Sequence, residues 1–196
     1  EVVLTRHGES ISVRGKIVLV CEGLNQRLLS RSTEFSSNID QRAYIGAGAV
    51  TAIERGAFSE GTIFMGVGRA GYVGAVIVED GSLNLAAALD PRFLTDGQQL
   101  GSLAQRVLHE SGFDLPVDVK QLNWQGTAKL TRLTSPVAAD RVLVLGDASG
   151  YVEPFTGEGM GWGLSCAMAC VPLVLAGLRH WDESLIESWK QYHERY

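Results

Sequence analysis

Apolar positions along the chain fall into three regimes. At the start, "VVLT" (2–5) and "SISVRGKIVLVCEG" (10–23) read as strands on either side of a polar "RHGE" tip. The second closes in a solid apolar run of the kind buried on both faces. From "AYIGAGAV" (43–50) through "NLAAALD" (84–90) short β-rich runs follow one another, which predicts an antiparallel, meander-like sheet. Two of those runs are joined by Asp80-Gly81, a strong hairpin signal. A helix is predicted over about 96–112, with Leu100, Leu103, Val107 and Leu108 on one face and Gly112 as the stop. "VDVKQLNWQGTAKLTRL" (117–133) reads as extended again. Val142–Leu145 form a short apolar strand suited to a parallel sheet, a glycine-rich loop follows, and a long apolar helix comes next. The last residues, "ESLIESWKQYHERY" (183–196), form an amphipathic helix. Together these runs place the chain in the α/β (α+β) class.

Composition agrees with a folded chain. At 196 residues, 45% apolar and 20% charged, it can bury a real core. A net charge of −5 and the absence of a basic run argue against a nucleic-acid partner and for a small-molecule one. Cys21, Cys166 and Cys170 are odd in number, form no Cys-x-x-Cys and lie in apolar sequence, so reduced structural thiols in a cytoplasmic protein are expected, without a metal. Residues 159–178 lack charge over the length of a membrane span. Their small residues, Pro172 and a mean hydropathy of +0.07 for the chain favour instead a buried helix packed on a sheet. The chain opens on Glu1 within a strand pattern and without a signal peptide, which suggests a piece of a longer protein.

Two motifs invite a function and fail on context. "TRHGE" (5–9) resembles the nucleophile motif of the histidine phosphatases, in which a His attacks phosphorus beside a phosphate-binding Arg. A helix should then follow, and a second His and a further Arg should complete the pocket. Here the sequence after Ser10 alternates, and the other histidines stand in helical contexts, so His7 is expected to be a solvated hairpin residue. "GVGRAG" (66–71) spells a dinucleotide-binding loop, with Asp90 near the place of a ribose-binding acid. Such a loop must open a helix, whereas "YVGAVIV" reads as strand; the glycines are expected to let a strand bend or lie close to a neighbour.

The informative segment is "RVLVLGDASGYVEPFTGEGMGWGLSCA" (141–167). Gly146-Asp147 stands where the apolar strand ends, the position at which open α/β sheets bind ligands. Glycines at 157, 159, 161 and 163 allow close approach of a flat or phosphorylated ligand. The helix start offers unpaired N–H groups, and a carboxylate just ahead can accept hydrogen bonds from hydroxyls.

This segment resembles the second flavin-binding motif of the FAD-dependent oxidoreductases of the para-hydroxybenzoate hydroxylase and geranylgeranyl reductase superfamily, a group with monooxygenases, halogenases and reductases. The resemblance implies that Asp147, after Gly146, takes the ribityl hydroxyls, and that Pro154, Gly157, Gly159, Met160 and Gly161 line the isoalloxazine ring. "VRGKIVLVCEGLNQRLLSR" (13–31) is similar to the family's strand ending in Ala-Asp-Gly near the cofactor, with Cys21-Glu22 in place of Ala-Asp, so Glu22 and Gly23 join the candidate set. By the same resemblance, residues 1–38 and 126–196 are the remnant of a Rossmann-like FAD-binding domain and 39–125 an antiparallel-sheet substrate domain.

The family's own amino-terminal glycine loop, which holds the ADP half of FAD, has no counterpart here, so weak or no FAD retention is expected. For the longer parent protein the resemblance implies an FAD enzyme reduced by NADH or NADPH, foremost a monooxygenase on an aromatic, polyketide or isoprenoid-like molecule, with a double-bond reductase as the alternative; this piece alone is expected to be inactive. Neither the paired-Trp pattern of halogenases nor a clear reductase signature is present. Arg69, Tyr72 and Trp124 could border a substrate cavity or belong to the core, and no catalytic side chain is assigned. A histidine phosphatase or a non-enzymatic binding module are the readings from other classes.

Overall fold

The computed structural model describes residues 1–54, 56, 58–94, 99–153 and 155–195. In chain order the strands and helices are β1 (Val2–Arg6), β2 (Glu9–Val13), β3 (Val18–Val20), β4 (Ser36–Ile39), β5 (Ile45–Thr51), β6 (Phe64–Gly68), β7 (Gly71–Ile77), β8 (Leu83–Leu89), α1 (Leu100–Glu110), β9 (Gln125–Lys129), β10 (Arg132–Ser135), β11 (Ala138–Ala139), β12 (Val142–Val144), β13 (Gly150–Tyr151), α2 (Gly159–Arg179) and α3 (Glu183–Glu194). The chain forms two compact units, one of Glu1–Asn38 with Leu133–Tyr196 and one of Ile39–Arg132.

The Ile39–Arg132 unit is a five-stranded antiparallel sheet in the order β6-β7-β8-β5-β9. Asp80-Gly81 closes the β7–β8 hairpin, with the Gly81 N–H on the Val78 carbonyl at 2.9 Å. The meander therefore covers β6 to β8, while β5 returns to the far side of β8. Helix α1 lays Leu103, Ala104, Val107 and Leu108 on the sheet against Val73, Ala75, Leu83, Leu85 and Leu89, and Gly112 ends it at φ +70°. Residues 96–98 of the predicted helix lie outside the described residues. The stretch 117–133 is not extended throughout: Val119–Gln121 form a 3-10 turn, its amino end capped by Asp118 through the Lys120 N–H, before β9 begins. Because β9 pairs with β5, this unit runs on to Arg132, past residue 125.

"GVGRAG" is the β6–β7 hairpin, with no helix after it. Its glycines serve packing. A Cβ on Gly68 would stand 2.7 Å from Glu110 Oε2 and 3.2 Å from Val107 Cα, so bare backbone at β6 is what lets α1 lie so close. Asp90 is buried and bonded to Arg92 at 2.6 Å, and it also accepts the Arg92 backbone N–H. The guanidinium holds its carboxyl below the usual range, so this acid serves the turn that starts at Pro91. Tyr72 is buried, Trp124 packs on the core with its indole N–H on the Val119 carbonyl, and Arg69 is exposed.

In the other unit, β1 and β2 form a two-stranded hairpin whose tip, His7 and Gly8, has φ of 51° and 85°. His7 is an exposed turn residue, and the next segment is strand rather than helix. The parallel pair β3–β12 is extended by antiparallel β11. A second small sheet runs β13-β10-β4. Helix α2 buries a narrow stripe: Cys166 and Cys170 pack with Leu143 and Leu145, and Gly177 lies against Trp181 and Ile17. The expectation of a buried helix is corrected here: only 17% of its most apolar window is buried, and Met160, Leu164 and Met168 are exposed. By length and composition alone this helix could cross a membrane. Helix α3, capped by Asp182, closes the cluster with a fully buried Trp189.

Candidate functional site

Strand pairing decides what comes together. Val142, Leu143 and Val144 of β12 pair in parallel with Val18, Leu19 and Val20 of β3, and the Leu145 N–H reaches the Val20 carbonyl at 2.9 Å. Both strands end level. Cys21-Glu22-Gly23 and Gly146-Asp147 therefore leave the sheet side by side at its carboxyl end, so two segments more than a hundred residues apart share one edge.

The turn after β12 is held by hydrogen bonds within it and from three other segments. The Gly146 N–H donates to the buried Cys166 Sγ at 3.4 Å, and the Gly146 carbonyl accepts from the Ser149 N–H at 2.9 Å and its hydroxyl at 2.7 Å. The Ala148 carbonyl accepts from Gln26 Nε2 at 2.9 Å and Thr134 Oγ1 at 2.6 Å, and the Ser149 carbonyl accepts the Thr134 N–H at 3.0 Å. Asp147 stands out from this turn. Its half-buried carboxylate accepts no hydrogen bond from a described residue, and lost hydration raises its pKa above the ordinary aspartate value. Nearby Tyr151 is pushed up too, first by burial and then by the charges of Asp147 and Glu153.

Glu22 is engaged locally. Its two oxygens accept the backbone N–H groups of Leu28, at 2.6 Å, and Leu29, at 2.9 Å, so this acid holds its own loop in place. Gly23 follows at φ +66°.

Across the turn, Gly157 has φ +75°, a conformation that leads the chain into α2 at Gly159. No side chain caps that start, so the amides of Gly159, Met160 and Gly161 have no intrahelical acceptor and carry the positive end of the helix. Around Gly157, Gly159, Gly161 and Gly163, apart from chain neighbours and the helix's own backbone, no atom of the described residues lies within 4 Å of where a Cβ would stand, and Met160 is 83% exposed. The helix start is thus open ground that a flat molecule can approach. Pro154 lies outside the described residues.

Sequence reasoning found Asp147 and the glycines but missed Gln26 and Thr134. Nothing in the local pattern marks them: a Gln with φ 43° and 4% exposure is recognisable only once the fold buries it. The thiols are all free; Cys166 and Cys170 are buried as expected, while Cys21 is exposed. Two cavities lie elsewhere. One of about 300 Å³ between α2 and α3 is lined by Leu173, Trp189 and Tyr192, and one of about 630 Å³ in the other unit lies beside Phe58, Phe64 and Phe113.

No family model and no curated protein matches this sequence. Solved structures do match its fold. Xcc4156, a flavin-dependent halogenase from Xanthomonas campestris, superposes with a TM-score of 0.71 at 17% identity over 98% of this chain and 39% of its own. SttH, a tryptophan 6-halogenase from Streptomyces toxytricini, gives 0.72 at 15% identity over 95% of this chain and 35% of its own. The flavin-dependent brominase Bmp2 gives 0.72 at 12% identity over 95% and 50%. The chain thus spans a third to a half of the length of these structures, and its mixed α/β architecture matches part of the flavin halogenase fold.

Proposed function

We propose that this chain is the flavin-ring portion of an FAD-dependent oxidoreductase, with Asp147 on the ribityl hydroxyls and the α2 start against the pyrimidine edge of the ring. One observation carries the reading. On a turn bonded to Gln26, Thr134 and, through Gly146, Cys166 of α2, the Asp147 carboxylate stands half-buried with no donor among the described residues, and the helix that Cys166 belongs to has an uncapped, open start. Such an acid is unfavourable for folding and useful to a polyol. The helix amides complement negative charge on a ring oxygen, and the glycines leave room for a planar group. Pro154 belongs to this proposal through the resemblance alone, and Glu22 and Gly23 shape the neighbouring loop. When bound, FAD would supply hydride acceptance and oxygen chemistry. The chain's own residues bind the flavin, orient it and bias its charge.

The solved structures that share the fold support a flavin enzyme of the oxidoreductase class. Within it, the reading is an NAD(P)H-reduced, cytoplasmic monooxygenase acting on an aromatic, polyketide or isoprenoid-like small molecule. A double-bond reductase is the alternative within the resemblance. Halogenation is a second reading, favoured by the halogenases among the fold neighbours although the paired-Trp pattern is absent from this sequence. Titration of the chain with riboflavin and FAD tests the site. Riboflavin, which needs no contacts to an ADP half, decides: affinity weakened in Asp147→Asn supports the site, and no riboflavin binding overturns it. Oxygen uptake by the FAD-loaded parent protein with NADPH and phenols, with and without bromide, separates the reaction types.

A further inference from the structure

The turn that presents Asp147 is held by three side chains from three places in the sequence. Gln26, in the loop after β3, is buried and left-handed; its Nε2 donates to Thr134 Oγ1 at 2.8 Å and to the Ala148 carbonyl at 2.9 Å. Thr134, in β10, uses its own proton on the same carbonyl at 2.6 Å. The three polar groups close a ring. Because Ala148 can only accept, the carboxamide must face it with nitrogen, and because Thr134 has spent its proton on Ala148, it must accept from Gln26. Every donor direction in the ring is therefore fixed. The third side chain, Cys166, accepts the Gly146 N–H.

We propose that Gln26 is a positioning residue for the candidate flavin site, acting through Thr134 and the Ala148 carbonyl to fix the turn on which Asp147 projects. The inference rests on the reading of Asp147 as a ligand to the cofactor. Its logic is that of preorganisation: a carboxylate with no partner of its own holds a direction only if the backbone beneath it is immobile. A buried glutamine in a conformation that costs a side-chain-bearing residue energy is a costly way to fill a loop. The ring it closes compensates that cost and makes the turn rigid. Methionine at this position would keep the volume and remove both donors.

The test compares wild type with Gln26→Met, and with Thr134→Val, which breaks the ring from the other side. Amide hydrogen exchange reads the turn without any flavin. Exchange at Gly146 and Ser149 is expected to quicken by roughly tenfold while that at Val144 and Leu145 on the adjoining strand holds. A merely structural role would speed all four together or none, and that result overturns the proposal. Riboflavin titration reads the consequence. Gln26→Met is expected to weaken binding by roughly tenfold in the wild-type background and to add little once Asp147→Asn is present. Additive losses, or unchanged affinity in Gln26→Met, overturn the proposal and leave the flavin reading standing. A wild-type chain that binds no riboflavin overturns the flavin reading itself, and the proposal with it.

Discussion

The indole N–H of Trp189 donates to the carbonyl of Val144 at 3.0 Å, from a side chain with no exposed surface. Val144 is the last residue of β12, two positions before the turn that carries Asp147, so the terminal helix braces the strand on which the candidate site stands. Trp189→Phe should retain most of the packing and lose the donor, at a cost of about 1–2 kcal/mol in a urea melt. Trp189→Ala adds a cavity and should cost about 3–5 kcal/mol.

Asp147 should separate stability from binding. Desolvation raises its folded-state pKa above that of the unfolded chain, so the unfolded state ionises first as pH rises. The group is therefore neutral in its effect below the ordinary aspartate range, and it costs stability progressively as pH climbs from there through the raised value. Asp147→Asn should raise the melting temperature at pH 7, with the gain gone under strongly acid conditions, while flavin affinity falls. Melting curves across pH, paired with riboflavin titration, check both signs. Loss of stability at pH 7 in this variant would contradict the picture of an unpartnered acid.

Thiol accessibility should divide one against two. Cys21 is exposed, whereas Cys166 and Cys170 lie on the buried stripe of α2; burial is the first cause that raises the pKa of all three thiols, so exposure is what sets Cys21 apart. An aromatic disulfide reagent should modify one thiol quickly in the native chain and the other two only after denaturant is added. Cys21→Ser should abolish the fast phase.

His7 sits at φ 51°, with Gly8 at 85°, in a hairpin tip. A left-handed histidine is strained, and asparagine tolerates that region better, so His7→Asn should stabilise the hairpin by roughly 0.5 kcal/mol. Para-nitrophenyl phosphate should go unhydrolysed by wild type and by His7→Ala alike; turnover lost in the variant would restore the phosphatase reading.

Much of this architecture was legible because it is local. The Asp80-Gly81 hairpin, the face of α1, and the strand, turn and helix order around 142–163 all follow from period and turn chemistry. The meander came out incomplete because β5 and β9 join by long-range pairing that no local pattern encodes. Glu22 shows a different limit: a carboxylate near the strand end reads as a ligand, yet two amides six and seven residues on claim both oxygens. The Gln26 ring needed the fold itself, since 108 residues separate Gln26 from Thr134. For α2, uniform apolarity says that a helix wants cover on all sides and leaves open what supplies it.

That uniformity shapes how the molecule behaves in a test tube. Thioether, indole and branched aliphatic groups from Met160, Trp162, Leu164, Met168 and Leu175 meet solvent along a stretch with no charge to repel a neighbour. Left bare at high concentration, such a surface is adhesive toward anything oily, itself included. Preparations of these 196 residues should therefore stay monodisperse in mild detergent and clump without it.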